Sequence, residues 1–140
     1  MIKIMEKVLC HIEWNGSCYW ISNDTIDGVI GASGKTLDEA KKNFKETLDF
    51  DIEASESYHD APPALKDGNY EIEYVYEPSA LLKTYQHYTT LAALSEATGI
   101  SQRQLSFYMN GKHKPRPVMI SRIKEGFRSI VNQCRELAVL

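Results

Sequence analysis

Near its N-terminus the chain carries short runs rich in aromatic and branched residues, a pattern typical of β-strands. Residues 6–14 (EKVLCHIEW) and 18–22 (CYWIS) flank the dipeptide Asn15-Gly16. This dipeptide favours the positive backbone angles of a tight turn, so the two runs predict an antiparallel hairpin. A third short strand is predicted over residues 28–32.

A helix and a fourth strand are predicted to follow. Apolar residues recur at three- and four-residue steps from Leu37 to Ile52, and Thr36 and Glu39 have the spacing of a capping box. After a loop with two prolines, tyrosine and isoleucine alternate with glutamate over residues 69–77, which predicts a half-exposed strand with an acidic outer face. This order indicates a helix lying on a sheet.

Beyond Pro78 the apolar spacing becomes that of short helices. Capping residues, glycines and prolines divide this part of the chain into four predicted helices, over residues 80–88, 90–98, 101–110 and 118–137. The sequence therefore predicts an α+β protein of two domains, a sheet-containing domain over 1–77 and an all-α domain over 78–140.

Composition narrows the class of protein. Apolar residues make up 43% of the 140 residues, no apolar run reaches the roughly 20 residues that span a bilayer, and Glu6 and Lys7 interrupt the N-terminal apolar stretch early. We therefore expect a cytoplasmic protein without a membrane partner. The three cysteines form no CxxC pair, so neither a disulfide framework nor a zinc site is expected.

Charge is divided unevenly between the two halves. Residues 1–77 hold 7 basic and 16 acidic residues, a net charge of −9, whereas residues 78–140 hold 9 and 3, a net charge of +6. This asymmetry indicates that the C-terminal half meets a polyanion and that the N-terminal half does not.

The segment TGISQRQLSFYMNGKHKP has the local signals of two helices joined by a fixed turn. Gly99 suits the left-handed conformation that ends the first helix, and Ser101 caps the second, with Gln104 at the capping-box position. Ile100 and Leu105 stand at the two positions of a hydrophobic staple, which fixes the angle of the second helix.

The polar side of this second helix suits the major groove of DNA. Arginine donates two hydrogen bonds to guanine, glutamine pairs with adenine, and the free N–H groups of a helix N-terminus favour a phosphate oxygen. Basic residues directly after the helix are expected on the DNA backbone. The predicted DNA-binding residues are Ser101, Gln102, Arg103, Gln104, Ser106, Tyr108, Asn110, Lys112 and Lys114.

The same segment resembles the helix-turn-helix of the Xre/Cro repressor family. The resemblance rests on LSEATGISQRQLSFYMNGKHKP, with its small residue, glycine, serine and apolar positions in the order of that family. It implies an all-α DNA-binding domain that recognises an operator. Because operators with two-fold symmetry need two reading heads, a homodimer or a higher homo-oligomer is expected.

The N-terminal half resembles the HicB family of antitoxins. The stretch YWISNDTIDGVIGASGKTLDEAKKNFKETLDFDIE carries the G-x-T-x-x-E-A motif at Gly34, Thr36, Glu39 and Ala40. The resemblance implies a partial RNase H-like domain, an antiparallel sheet plus one helix. It also implies a small basic HicA-type toxin as partner, an mRNA-cutting ribonuclease that the antitoxin neutralises by direct binding, and repression of the chain's own operon. The residues that contact the toxin are expected within 1–77, and the sequence does not identify them individually.

Two other classes of function are alternatives to this one. An enzyme would need clustered carboxylates for metal, but Asp24 and Asp27 fall at a predicted turn and Asp38 at a helix start, so no catalytic residue, metal site or cofactor is expected. A ligand-sensing transcription regulator without a toxin partner remains as the alternative. Its ligand-binding site would be lined by aromatic residues of the N-terminal half, namely Trp14, Tyr19, Trp20, Tyr74 and Tyr76.

Overall fold

A computed structural model describes residues 6–23, 30–56 and 68–140. The chain divides into two compact units, Met1–Glu77 and Pro78–Leu140. The start of the predicted third strand at Gly28, the carboxylates of Asp24 and Asp27, and the loop with two prolines lie outside the described residues.

Among its described residues, the N-terminal unit is a four-stranded sheet with one helix. Its strands follow the order β3-β2-β1-β4 across the sheet, with the helix α1 between β3 and β4 in the chain. The bounds are β1 Glu6–Trp14, β2 Tyr19–Asn23, β3 Ile30–Gly34, α1 Leu37–Glu56 and β4 Tyr70–Tyr76. The predicted hairpin is confirmed, since β1 and β2 pair antiparallel with Trp14 opposite Tyr19.

The expectation of an antiparallel sheet is wrong for one pair of strands. Strand β4 pairs with β1 in parallel, with Glu6 opposite Tyr70 and Ile12 opposite Tyr76. The connection from β3 to β4 contains α1, and a helical connection of this length lets a strand enter parallel to its neighbour. The sheet is therefore mixed, and the unit is α+β.

Helix α1 covers one face of the sheet. Val8, Cys10 and Ile12 alternate along β1 and are buried, as are Phe44 and Leu48 of α1. The helix approaches the sheet most closely at β3, where a Cβ atom on Gly34 would lie 2.4 Å from the backbone nitrogen of Ala40. Thr36 caps this helix as predicted, since its hydroxyl accepts a hydrogen bond from the Glu39 N–H at 3.1 Å.

The C-terminal unit consists of helices alone among its described residues. They are α2 Pro78–Tyr85, α3 Leu91–Thr98, α4 Gln102–Met109 and α5 Pro117–Ala138. Side chains from all four helices and the α3–α4 turn form one buried core, made of Leu82, Leu94, Ile100, Leu105, Tyr108 and Ile123. None of the described helices combines the length and the apolar character needed to cross a membrane.

Candidate nucleic-acid interface

The turn between α3 and α4 is closed by hydrogen bonds at both of its ends. Gly99 adopts a φ of 73°, and its N–H donates to the carbonyl of Ser95 at 2.9 Å, which ends α3. The Ser101 hydroxyl accepts from the Gln104 N–H at 3.1 Å and caps α4. Both features were predicted from the sequence, and both are confirmed.

Thr98 and Arg122 hold the same turn from the inside. The Thr98 hydroxyl donates to the Leu94 carbonyl at 2.6 Å and accepts from the Ile100 N–H at 3.1 Å. From α5, Arg122 Nη2 donates to the Thr98 carbonyl at 2.7 Å. Buried hydrogen bonds of this kind are costly to break, so the direction in which α4 leaves the turn is fixed.

One side of α4 is part of the core. Ile100 and Leu105 are buried together, as the predicted hydrophobic staple requires. Tyr108 belongs to the same core and is only 6% exposed. The assignment of Tyr108 to the DNA-binding residues is therefore corrected: it lies three residues after Leu105, on the same helical face, and it packs inward.

The opposite side of α4 carries the polar residues predicted to read DNA. Ser101, Gln102 and Arg103 are exposed at the start of the helix, and Asn110 is exposed at its end. Gln104 and Ser106 are half-buried. Gln102, Arg103 and Asn110 thus present hydrogen-bonding groups of the kind that pair with base edges.

Phe107 is a member of this surface that the sequence analysis missed. The guanidinium carbon of Arg103 lies 5.4 Å from the centre of its ring, and Lys112 Nζ lies 5.6 Å from the same centre. The His113 ring meets it edge to face at 4.9 Å. A ring flanked by two cations holds them in place and suits a thymine methyl group. The four-residue step from Arg103 was the signal in the sequence.

The segment after α4 forms a basic loop. Gly111 adopts a φ of 74°, and the Lys112 N–H donates to the Phe107 carbonyl at 2.9 Å, which turns the chain back over the end of α4. Lys112, Lys114 and Arg116 are exposed along the loop. Their placement next to the polar side of α4 is what contacts to phosphate oxygens require.

A groove beside α4 adds a second candidate for contact with the DNA backbone. It is lined by Lys83 and His87 near the end of α2, by Thr90 at the start of α3 and by Gln102 of α4, among others. Thr90 caps α3 by accepting from the Ala93 N–H at 3.0 Å. A lysine and a histidine beside a helix N-terminus suit a phosphate group. Lys83 and His87 could not be predicted from the sequence, because only the fold brings them to α4.

The described residues of the N-terminal unit do not gather catalytic groups. His11 Nδ1 lies 2.8 Å from Glu77 Oε1 in a half-exposed pair, and no group of three His, Cys, Asp or Glu in the described part of the chain is arranged to hold a metal ion. Asp38 is exposed in the first turn of α1, where an acidic residue complements the helix dipole.

Comparison with known proteins finds a family match for the C-terminal unit. Residues 80–128 match the model of a helix-turn-helix family of the Xre/Cro type. No match to the HicB family accompanies it. No curated protein and no solved structure matches the chain. The matched residues run from α2 into α5 and include the fixed turn and the polar side of α4. The class they define is a DNA-binding transcription regulator.

Proposed function

We propose that this regulator is the antitoxin of a HicA/HicB-type toxin-antitoxin system. It binds and neutralises a small basic ribonuclease toxin through residues 1–77, and it represses its own operon through residues 78–140. Neither activity makes the chain itself an enzyme. The observation that carries the proposal is an open acidic face on the N-terminal sheet, in a chain that also holds a DNA-binding domain.

The open face is the side of the sheet opposite α1. Trp20 is 38% exposed there and Val75 is 39% exposed, while the exposed charges around them are those of Glu13, Glu71 and Glu73 and of one cation, Lys7. Apolar side chains within a charged border are typical of surfaces that bind another protein. The partner of such a surface is expected to be basic.

Trp20 has the properties of a fixed anchor on this face. Its indole ring lies against the backbone of Gly31, where a Cβ atom would be 2.2 Å from Trp20 Cζ2. A tryptophan already held in one orientation loses little conformational freedom when a partner covers it, and such residues contribute strongly to binding.

The charge of the N-terminal half supports the same kind of partner. Residues 1–77 have a net charge of −9, and charge of one sign speeds the approach of a partner with the opposite sign and orients it. A small basic toxin fits this description, and DNA does not. The two halves would then bind their different partners with little electrostatic competition.

The placement of the aromatic residues favours this function over ligand sensing. Trp14 packs edge to face on Tyr19 at 5.0 Å between ring centres, and Tyr19 is buried. Trp20 follows Tyr19 in β2 and therefore points to the other face of the sheet. Trp14, Tyr74 and Tyr76 share the face of Tyr19, which α1 covers, so Trp20 is the one of the five that lies on the open face.

A growth experiment tests the proposal. The short open reading frame next to this gene is induced alone and together with the full chain. We expect growth arrest from the neighbour, relief by the chain, and co-purification of the two proteins. The double variant Glu13→Lys and Glu73→Lys, on the open face, should lose the relief.

The matched control reverses the same number of charges elsewhere. Glu46 and Glu53 are exposed on α1, so Glu46→Lys with Glu53→Lys should still relieve the arrest. If no neighbouring reading frame arrests growth, the antitoxin function is excluded, and a shift in melting temperature with small metabolites becomes the test of the ligand-sensing alternative. If the α1 variant fails and the sheet variant works, the toxin binds α1 instead.

A further inference from the structure

His113 belongs to the basic loop, but its ring is held against α4. The ring meets that of Phe107 edge to face at 4.9 Å between ring centres, and the His113 backbone N–H lies 3.3 Å from the Phe107 carbonyl, to which it donates. Nδ1 of the ring lies 3.3 Å from Gln104 Nε2. His113 is nevertheless exposed, so these contacts orient the imidazole and leave part of it open to a ligand.

The contact with Gln104 decides what the neutral ring presents to a ligand. A neutral imidazole donates through one nitrogen and accepts through the other, and an amide nitrogen only donates. In the observed arrangement Nδ1 of His113 therefore accepts from Gln104, and the hydrogen of the ring is on Nε2. The Gln104 carbonyl oxygen is not used in this hydrogen bond, so the pair presents a donor and an acceptor together.

Protonation of the ring changes this mixed pattern into donors alone. Both ring nitrogens of a protonated histidine donate, so the Gln104 side chain has to turn its carbonyl oxygen toward Nδ1 and its NH₂ group outward. His113 and Gln104 then present only donors, and the ring carries a positive charge. A phosphate oxygen, which only accepts, fits this form better than the neutral one.

The charged side chains around the ring are those of Arg103 on α4 and of Lys112, Lys114 and Arg116 in the basic loop. All four are cations. In the described part of the chain His113 forms no ion pair with a carboxylate. The anion that stabilises the charged ring is therefore expected from a ligand, and the polyanion that this surface is predicted to meet is DNA.

We propose that His113 is a further DNA-contacting residue, which binds a backbone phosphate in its protonated form, so that DNA binding takes up a proton. The proposal rests on the DNA-binding activity of the proposed function and adds a dependence on pH to it. Histidine changes its charge between about pH 5 and 8, and a neighbouring anion favours the charged form. Because the bound state then holds more protons than the free state, affinity for DNA has to fall as the pH rises.

Fluorescence anisotropy of the full chain with a duplex from upstream of its own gene tests this dependence between about pH 5.5 and 8. We expect about tenfold tighter binding at the acidic end, because a charged hydrogen bond to phosphate is lost as the ring becomes neutral. The slope of log K against log salt should also be larger in magnitude there by about 0.9, the share of one phosphate contact. His113→Gln should lose both differences.

Two further variants separate a charge at residue 113 from a structural role. His113→Lys carries a cation at every pH of the series, so it should bind at the alkaline end as tightly as the parent chain binds at the acidic end. His11→Gln is the matched control, since His11 belongs to the N-terminal unit and pairs with Glu77, and it should keep the pH dependence of the parent chain. Circular dichroism checks that each variant is folded.

Calorimetry of the same binding reaction in buffers of different ionisation enthalpy measures the proton uptake directly. We expect uptake by the parent chain near neutral pH and a smaller uptake by His113→Gln. The proposal is overturned if His113→Gln keeps the pH dependence of the parent chain, or weakens binding by the same factor at every pH, as the loss of a structural contact would. It is also overturned if His87→Gln, and not His113→Gln, removes the dependence.

A duplex of unrelated sequence tells the failure of this proposal from the failure of the proposed function. A phosphate contact does not depend on sequence, so both duplexes should show the same pH dependence. A dependence confined to the upstream duplex would place His113 on a base and overturn the proposal. Preference for the upstream duplex without pH dependence overturns the role of His113 and leaves the repressor function standing. Equal, pH-dependent binding to both duplexes upholds the role of His113 and removes the repressor function.

Discussion

The methyl group of Thr98 fills the space that a side chain at residue 126 would need. A Cβ atom on Gly126 would lie 2.4 Å from Thr98 Cγ2, far inside van der Waals contact. Thr98 cannot rotate away without losing the two hydrogen bonds of its hydroxyl, one to Leu94 and one from Ile100. The end of α3 and the middle of α5 therefore meet at a distance that only glycine allows.

Replacing this glycine should destabilise the C-terminal unit. Gly126→Ala gains roughly 1 kcal/mol of helix propensity but overpacks a contact that cannot relax, at a cost of about 1–3 kcal/mol. We expect a net loss in the free energy of unfolding, measured by urea denaturation with circular dichroism.

The compensating variant makes this prediction specific. Thr98→Ser removes Cγ2 and keeps the hydroxyl, so Thr98→Ser with Gly126→Ala should be more stable than Gly126→Ala alone. Such coupling is what a double-mutant cycle measures for residues in contact. Additive effects of the two substitutions would show that the methyl group is not the cause.

Arg103 is predicted to read a base. Arg103→Ala should cost about 1–3 kcal/mol in operator binding and relax the preference at one base position, because arginine forms paired hydrogen bonds with guanine. Fluorescence anisotropy with a set of single-base operator variants measures both effects. Lys42→Ala is the control, since Lys42 is an exposed cation of the N-terminal unit. Unchanged affinity and selectivity for Arg103→Ala would remove this residue from the reading face.

The basic loop is predicted to bind phosphates without regard to sequence. Lys112→Gln with Lys114→Gln should weaken binding to every duplex and lower the slope of log K against log salt by about 2, since each neutralised phosphate contributes about 0.9. Binding isotherms at several salt concentrations measure the slope. Lys35→Gln with Lys42→Gln removes two exposed cations elsewhere and should leave it unchanged. A loss confined to one operator sequence would contradict the assignment.

Burial of Cys10 predicts a loss of stability at alkaline pH. Removal of this thiol from water raises its pKa from 9.0 to about 11. The unfolded chain ionises near the ordinary value while the folded chain stays protonated, so the contribution to stability is complete below pH 9 and is lost between about 9 and 11. Urea midpoints across this range should fall less for Cys10→Ala than for the parent chain.

A control variant and a second titrating group complete the Cys10 experiment. Cys134→Ala is its control, because Cys134 is exposed. Burial also raises the pKa of Tyr74, so Cys10→Ala should reduce the alkaline loss without removing it. Equal losses in Cys10→Ala and the parent chain would exclude the thiol as a source.

Local chemistry explains what the sequence could predict. The caps at Thr36 and Ser101 and the left-handed Gly99 each depend on residues within four positions, so their spacing was sufficient. The parallel entry of β4 depends on which strand it pairs with, and local alternation does not carry that information.

In the candidate DNA interface, too, some features follow from the local sequence and others depend on the fold. The exposed positions of Gln102, Arg103 and Asn110 follow from helix period and were predicted. The placement of Lys83 beside Gln102 depends on how α2 packs, and it was not predicted from the sequence. Tyr108 was misplaced although its three-residue step from the apolar Leu105 already pointed inward.

Arg122 makes the position of α4 depend on α5. Its Nη2 donates to the Thr98 carbonyl at the end of α3, and the Thr98 hydroxyl holds the turn from which α4 begins. A substitution on α5 that displaces Arg122 would therefore change the DNA-binding surface, although α5 provides none of the side chains predicted to read bases.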